Sequence, residues 1–273
     1  MKSEPAIDCH AHIIDPERFP FVRGAGYTPQ PHETGTRESF IELLDGHGIR
    51  HALLVQPSGY ALDNSAMLDA IDRSPERFKG IAVVNPDITD GEIRRLSDAG
   101  VVGVRFNLVT YERGMLQEPG SLRFLARLKE CGWFAQIYAG DDQWTELAPF
   151  LERSGVKVLI DHFGVQDPRA GIASPGFQAV LTLGRSGNAV VKLSAPFRIA
   201  SPADGYAALD NHVADLLRAF GSERCIWGSD WPFLAVKQPP DYGTLRMPLS
   251  RWLPDARQRA QVLWHNPVCL FGW

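Results

Sequence analysis

Near its start the chain runs Asp8-Cys9-His10-Ala11-His12, which sets two imidazoles two residues apart. If this run is a strand, side chains alternate and both rings point to the same face. Two more polar residues close apolar runs: His162 in Leu159-Ile160-Asp161-His162-Phe163-Gly164, and Asp230 in Trp227-Gly228-Ser229-Asp230-Trp231-Pro232. Three imidazoles and a carboxylate admit two chemistries. They can hold one divalent ion such as zinc, which lowers the pKa of a bound water to roughly 7. They can also work without metal, the carboxylate acting as general base while the imidazoles polarise a carbonyl. Spacing alone leaves both open. Each residue also has a plainer account, since an HxH pair can be ordinary core histidines and an Asp at a strand end often caps a turn. The shared placement of all four at the ends of apolar runs favours chemistry.

The elements that must position them are readable from hydrophobic periodicity. Eight short apolar runs bounded by turn residues lie at 6–14, 51–57, 78–85, 101–107, 133–139, 156–163, 189–195 and 225–232. They are continuously apolar rather than alternating, as strands covered on both faces are. Between them lie helical patterns at 36–48, 63–73, 90–99, 121–131, 143–154, 176–185 and 204–220, several ending at Gly. This βα repeat, in a chain near the ~250 residues typical of the fold, predicts an α/β protein built as a single (β/α)8 TIM barrel over 1–273. No GxGxxG turn follows the first run, which argues against an open nucleotide-binding sheet. In a barrel, His10, His12, His162 and Asp230 meet at the C-terminal mouth. The Pro- and Gly-rich stretches 15–34 and 232–248 follow strands 1 and 8 there and are expected to wall or cover it.

Composition narrows the partners. The 273 residues are 44% hydrophobic, and 28 Lys and Arg against 32 Asp and Glu leave a net charge of −4, so no basic surface awaits nucleic acid. The longest uncharged stretch, 170–184, is short of the ~18 residues that span a membrane. Glu4 and Asp8 stand where a secretory signal would be basic and then apolar, and a cytoplasmic location is expected. Cys9, Cys131, Cys225 and Cys269 lie far apart with no CxxC pairing, as reduced, buried cysteines would.

The ordered set DCHAH, IDHFG and GSDWP, with LLVQPS, GVRFN, VVKLSAPFR and HNPVCLFG around it, resembles the amidohydrolase superfamily, in particular its branch of 2-pyrone-4,6-dicarboxylate lactonase-like hydrolases. The similarity runs over nearly the whole chain. It implies a lactonase active in aromatic catabolism: Asp230 activates water, and His10, His12 and His162 polarise the carbonyl of a small carboxylated lactone. Metal-binding members of the superfamily supply a histidine or a carboxylated lysine around strand 5, where this chain reads Gln136-Ile137-Tyr138. The branch resembles it in having tyrosine there and in acting without metal, so no cofactor is expected; if a metal is present, its ligands are His10, His12, His162 and Asp230. Arg105 and Arg198, which end strands 4 and 7, are expected to clamp substrate carboxylates bidentately. Tyr27, Ser58 and Tyr138 match branch positions that hydrogen-bond substrate. Ser58 lacks a GxSxG elbow and is not read as a nucleophile.

Two departures bear on the substrate. The branch has a second arginine six residues beyond the strand-4 one, where this chain has Tyr111 with Arg113 nearby, and commonly a histidine where this chain has Phe233. A lactone related to the pyrone dicarboxylate, such as a muconolactone or sugar-acid lactone, then becomes the better expectation. The alternatives are a metal-dependent decarboxylase or amide hydrolase on the same scaffold, or a non-catalytic binding barrel. The sequence is silent on oligomeric state.

Overall fold

The structure is a computed structural model, described here for residues 4–110, 116 and 120–273. Tyr111 and Arg113 lie outside the described residues. Eight parallel strands stand in sequence order: β1 (Ala6–Ala11), β2 (Ile49–Val55), β3 (Phe78–Ala82), β4 (Val101–Asn107), β5 (Phe134–Tyr138), β6 (Lys157–Ile160), β7 (Ala189–Ser194) and β8 (Cys225–Gly228). Outside them lie α1 (Arg37–Gly46), α2 (Ser65–Asp72), α3 (Asp90–Asp98), α4 (Ser121–Glu130), α5 (Trp144–Ser154), α6 (Pro175–Arg185) and α7 (Asp210–Phe220). All eight expected strands are present and the fold is a (β/α)8 barrel. The C-terminal region adds α8 (Met247–Trp252), α9 (Ala256–Ala260) and α10 (Asn266–Phe271), which the sequence reading did not anticipate.

The barrel closes between its first and last strands. The Asp230 N–H donates to the His10 carbonyl at 2.7 Å and the His12 N–H to the Trp231 carbonyl at 2.8 Å. Beneath them the buried Asp8 carboxylate accepts from the Ser229 N–H at 2.8 Å, the Ser229 hydroxyl at 2.6 Å and the Tyr242 hydroxyl at 2.9 Å. Gly228 permits this approach, because a Cβ there would lie 2.7 Å from the His10 backbone nitrogen.

Strand alternation then stacks the interior. Phe134, Leu159, Val190 and Ile226, with Ile7, Leu53 and Ile81, form an apolar cluster drawn from seven strands, and Phe271 of α10 packs against it. Two residues further along β5, β6 and β7 the same face carries Gln136, Asp161 and Lys192, all fully buried. A charged layer thus sits on an apolar plug.

The chain leaves β6, β7 and β8 abruptly. His162, Ala195 and Asp230 take positive φ of 48°, 49° and 68°. Such left-handed conformations are costly for residues with a Cβ and concentrate at functional sites. They shorten β6 and β8 relative to the apolar runs and turn the His162 and Asp230 side chains back over the mouth.

Candidate active site

Above the charged layer lies a cavity of about 280 Å³, lined by His12, Tyr27, Ser58, Arg105, Tyr138, His162, Arg198 and Asp230 among others. The two irregular stretches wall it as expected, through Gly26 and Tyr27 from one and Leu234 and Ala235 from the other. Buried Glu33 ties these walls together, accepting from the Tyr27 hydroxyl at 2.5 Å and the Ala235 N–H at 2.5 Å. Tyr27 is therefore engaged with Glu33, and burial beside that carboxylate pushes its pKa up to about 12. Trp231 turns away from the cavity and stacks on Phe40 at 4.7 Å. Phe233 packs edge-on against Phe197.

The four residues singled out in the sequence converge on one atom. Asp230 Oδ1 lies 3.3 Å from His12 Nε2, 3.5 Å from His10 Nε2 and 3.8 Å from His162 Nε2. All four side chains are buried. The other carboxylate oxygen, Oδ2, accepts a short bond from Arg198 Nε. Burial alone would raise the Asp230 pKa, but the Arg198 guanidinium holds it well below the usual carboxylate range. Burial pushes the imidazoles the other way, His162 to about 4 against the usual 6.5, with His10 and His12 lowered as well. At neutral pH the site is an ionised carboxylate among neutral rings.

The three rings are not equivalent. His12 Nδ1 lies 2.7 Å from the Val55 carbonyl, which can only accept, so the neutral ring carries its proton on Nδ1 and presents a lone pair from Nε2. In that state His12 Nε2 accepts rather than donates. Two acceptors, His12 Nε2 and Asp230 Oδ1, face each other and mark the place where a water could give a hydrogen to either. His162 Nδ1 sits 2.9 Å from the Ser194 hydroxyl, whose proton can satisfy it and leave Nε2–H toward the cavity. His10 does not line the cavity; it lies beneath Asp230 and reaches the chemistry through that carboxylate.

The arginines also part company. Arg105 is buried, donates from Nη1 to the Gln56 carbonyl at 2.9 Å, and its Nε has no hydrogen-bond partner among the described residues. A buried guanidinium with donor capacity at a cavity wall suits an anion. Arg198, which also lines the cavity, donates to Asp230 and, from Nη2, to the Leu234 carbonyl at 3.1 Å. Ser58 Oγ accepts from Asn107 Nδ2 at 2.9 Å, an amide that also reaches Thr110. The Tyr138 ring lies edge-on to His162 at 5.5 Å.

Two groups of side chains could hold a metal ion by proximity, His10 with His12 and Asp230, and His10 with Asp161 and His162. Two members of the second, His10 and Asp161, already face a buried lysine. Lys192 Nζ lies 2.7 Å from Gln136 Oε1, 3.2 Å from Asp161 Oδ1 and 3.2 Å from His10 Nδ1. The strand-5 side chain nearest this group, Gln136, is taken up by Lys192 and Asp161.

A family model described as amidohydrolase matches residues 7–273. The chain belongs to the amidohydrolase family. Over 97% of its length this amidohydrolase is 31% identical to a 4-sulfomuconolactone hydrolase of Hydrogenophaga intermedia, 88% of which is covered. It is also 31% identical to a 2-pyrone-4,6-dicarboxylate hydrolase of Comamonas testosteroni, with 97% of this chain and 90% of the relative covered. Among solved structures, a probable 2-pyrone-4,6-dicarboxylic acid hydrolase from Acinetobacter baumannii with citric acid bound superimposes with a TM-score of 0.89 at 32% identity, covering 98% of this chain and 99% of that one.

Sequence reasoning about the amidohydrolase missed Lys192, Gln136 and Glu33. A signal existed for the first: a lysine in the middle of Ala189-Val190-Val191-Lys192-Leu193-Ser194 cannot be a solvated surface charge if the strand is covered on both faces.

Proposed function

We propose that the protein opens the ring of a small carboxylated lactone by hydrolysis, without a metal ion. The observation that carries this is the convergence of His10, His12 and His162 on one oxygen of Asp230, at the floor of a cavity walled by buried Arg105. A lactone seated by its carboxylate on Arg105 presents its carbonyl to His162 Nε2 and Tyr138. Water held between Asp230 and His12 attacks the carbonyl carbon and gives its proton to that pair. The ring carbon–oxygen bond then breaks, and the departing oxygen takes the proton back, so that water is added and a carboxylic acid and a hydroxyl result, the acid then losing its proton to solvent. The relatives named for lactone hydrolysis support the reaction class. A reaction without metal is supported by the donor set, since strand β5 offers Gln136 and Tyr138 rather than an imidazole and Lys192 Nζ stands against His10 and Asp161 of one candidate group.

The substrate is a small anion rather than nucleic acid, in keeping with the net charge of −4. Among the described residues no helix is long and apolar enough to cross a membrane. Cys9 and Cys225 are buried, as expected, whereas Cys131 and Cys269 are exposed, and exposed thiols outside any disulfide suit a reducing cytoplasm as the place of action.

The test is a panel of carboxylated five- and six-membered lactones followed by acid release, with and without chelator, on protein whose metal content has been measured. Ring opening unaffected by chelation is expected. Turnover that requires stoichiometric zinc or manganese overturns the metal-free reading, and release of carbon dioxide without ring opening would point to the decarboxylase alternative.

A further inference from the structure

The buried lysine has no part in the reaction as described, yet it touches the residue beneath the base. We infer that Lys192 is a positioning residue, an internal cation that fixes His10 as the Nε2–H tautomer and so aims a hydrogen-bond donor, not a metal-ligating lone pair, at Asp230. The inference deepens the metal-free lactonase reading and rests on it for its link to catalysis.

The geometry is that of a chain. Burial lowers the Lys192 pKa and the adjoining Asp161 carboxylate opposes that shift; as an ammonium paired with Asp161 the lysine has donors only, and its contact with His10 Nδ1 at 3.2 Å makes that nitrogen the acceptor. The ring proton is then on Nε2, a buried nitrogen with no hydrogen-bond partner among the described residues, 3.5 Å from Asp230 Oδ1. Asp161 Oδ1 lies at a comparable 3.3 Å from His10 Nδ1 and would favour the opposite tautomer, but it also faces Lys192 Nζ at 3.2 Å, and an ammonium has donors enough for both that oxygen and the ring nitrogen. Gln136 completes the arrangement, its carbonyl oxygen accepting from Lys192 at 2.7 Å and its amide donating to Asp161 Oδ2 at 3.1 Å. The lysine is thus held by β5 and β6 while it acts on β1. A lysine with no exposed surface and three partners within 3.2 Å stands against His10 and Asp161, two members of a ligand grouping that would otherwise invite a metal.

The proton positions are open to direct observation. Long-range proton–nitrogen correlation spectra of the imidazoles in the full-length protein, with His10 assigned by its loss in His10→Asn, are expected to show Nδ1 unprotonated and Nε2 protonated. A proton on Nδ1 overturns the inference and leaves the lactonase reading standing. The measurement needs no turnover, so failure to find a substrate would not decide it. Lys192→Met alone leaves Asp161 buried without its cation and risks misfolding. The double variant Lys192→Met with Asp161→Asn removes both charges together. In that variant the spectra are expected to show both His10 tautomers, and kcat on a lactone substrate of the parent to fall by about 10²-fold with KM within about twofold. Unchanged tautomer and unchanged kcat in a folded double variant would reduce Lys192 to a structural role and overturn the proposal.

Discussion

At the scale of single residues, Asp230 carries two loads: it gathers three imidazoles on one oxygen and Arg198 on the other. Asp230→Asn keeps the shape but cannot take up the proton of water. A fall in kcat of about 10³-fold with little change in KM is expected from steady-state hydrolysis, as loss of a positioned general base gives. The arginines should respond differently from one another. Arg105→Ala removes donors that the proposed reaction gives to the substrate carboxylate, and a rise in KM of about 10- to 100-fold is expected for a charge-assisted bond. Arg198→Ala releases the carboxylate that the guanidinium holds ionised, so kcat is expected to change along with KM. If Arg198→Ala instead raised KM alone, its contact with Asp230 would be incidental and the simple clamp expected from sequence would be restored.

At the scale of elements, the site is made by strand ends, and the seam between β1 and β8 is where it can be opened. Gly228→Ala sets a methyl group 2.7 Å from the His10 nitrogen and 2.8 Å from its Cβ, backbone and near-backbone atoms that cannot rotate away. The seam must widen, which moves His10 and His12 from Asp230. A loss of about 1–3 kcal/mol in unfolding free energy and a kcat reduced by about tenfold or more are expected, read by chemical denaturation and by kinetics on the folded fraction. An alanine variant as active and as stable as the parent would mean that the seam is compliant. The same elements show how far sequence reading reaches. The strands were legible because both faces of each are buried, so apolar runs are continuous, and the rim residues were legible as polar atoms closing those runs. The runs ending at His162 and Asp230 overshot the strands because nothing in residue type announces a left-handed turn at a histidine or an aspartate. Lys192 went unassigned since a charge within an apolar strand has meaning only once its partners on β1, β5 and β6 are known. Which nitrogen of His12 bears the proton depends on the Val55 carbonyl, 43 residues away, and no spacing rule supplies that.

At the scale of the whole molecule, the barrel encloses more ionisable groups than a purely structural core would, and its stability should carry their signature in acid. His162 titrates at about 4 in the folded protein against 6.5 ordinarily, because burial disfavours its charged form, and His10 and His12 are shifted in the same direction. Between pH 6.5 and 4 the unfolded chain therefore binds protons that the folded one refuses, and stability falls as pH falls, on the order of 3 kcal/mol from His162 alone. Asp8 acts with the opposite sign. Burial raises it to about 6 from 3.8, against the hydrogen bonds from Ser229 and Tyr242, so the folded protein holds a proton there that the unfolded chain has lost. Its contribution to stability is full below pH 3.8 and is lost as pH rises to about 6. The histidines outnumber it, and unfolding free energy is expected to climb from pH 4 to 6.5 in the parent and to climb more steeply in Asp8→Asn, where the opposing proton is gone. Urea titrations at half-unit steps of pH measure both slopes. Equal slopes would place the Asp8 proton uptake outside this window, and a flat profile in both proteins would mean that the interior imidazoles protonate as readily as those of an open chain, leaving Asp230 without the neutral surroundings that its role as base requires.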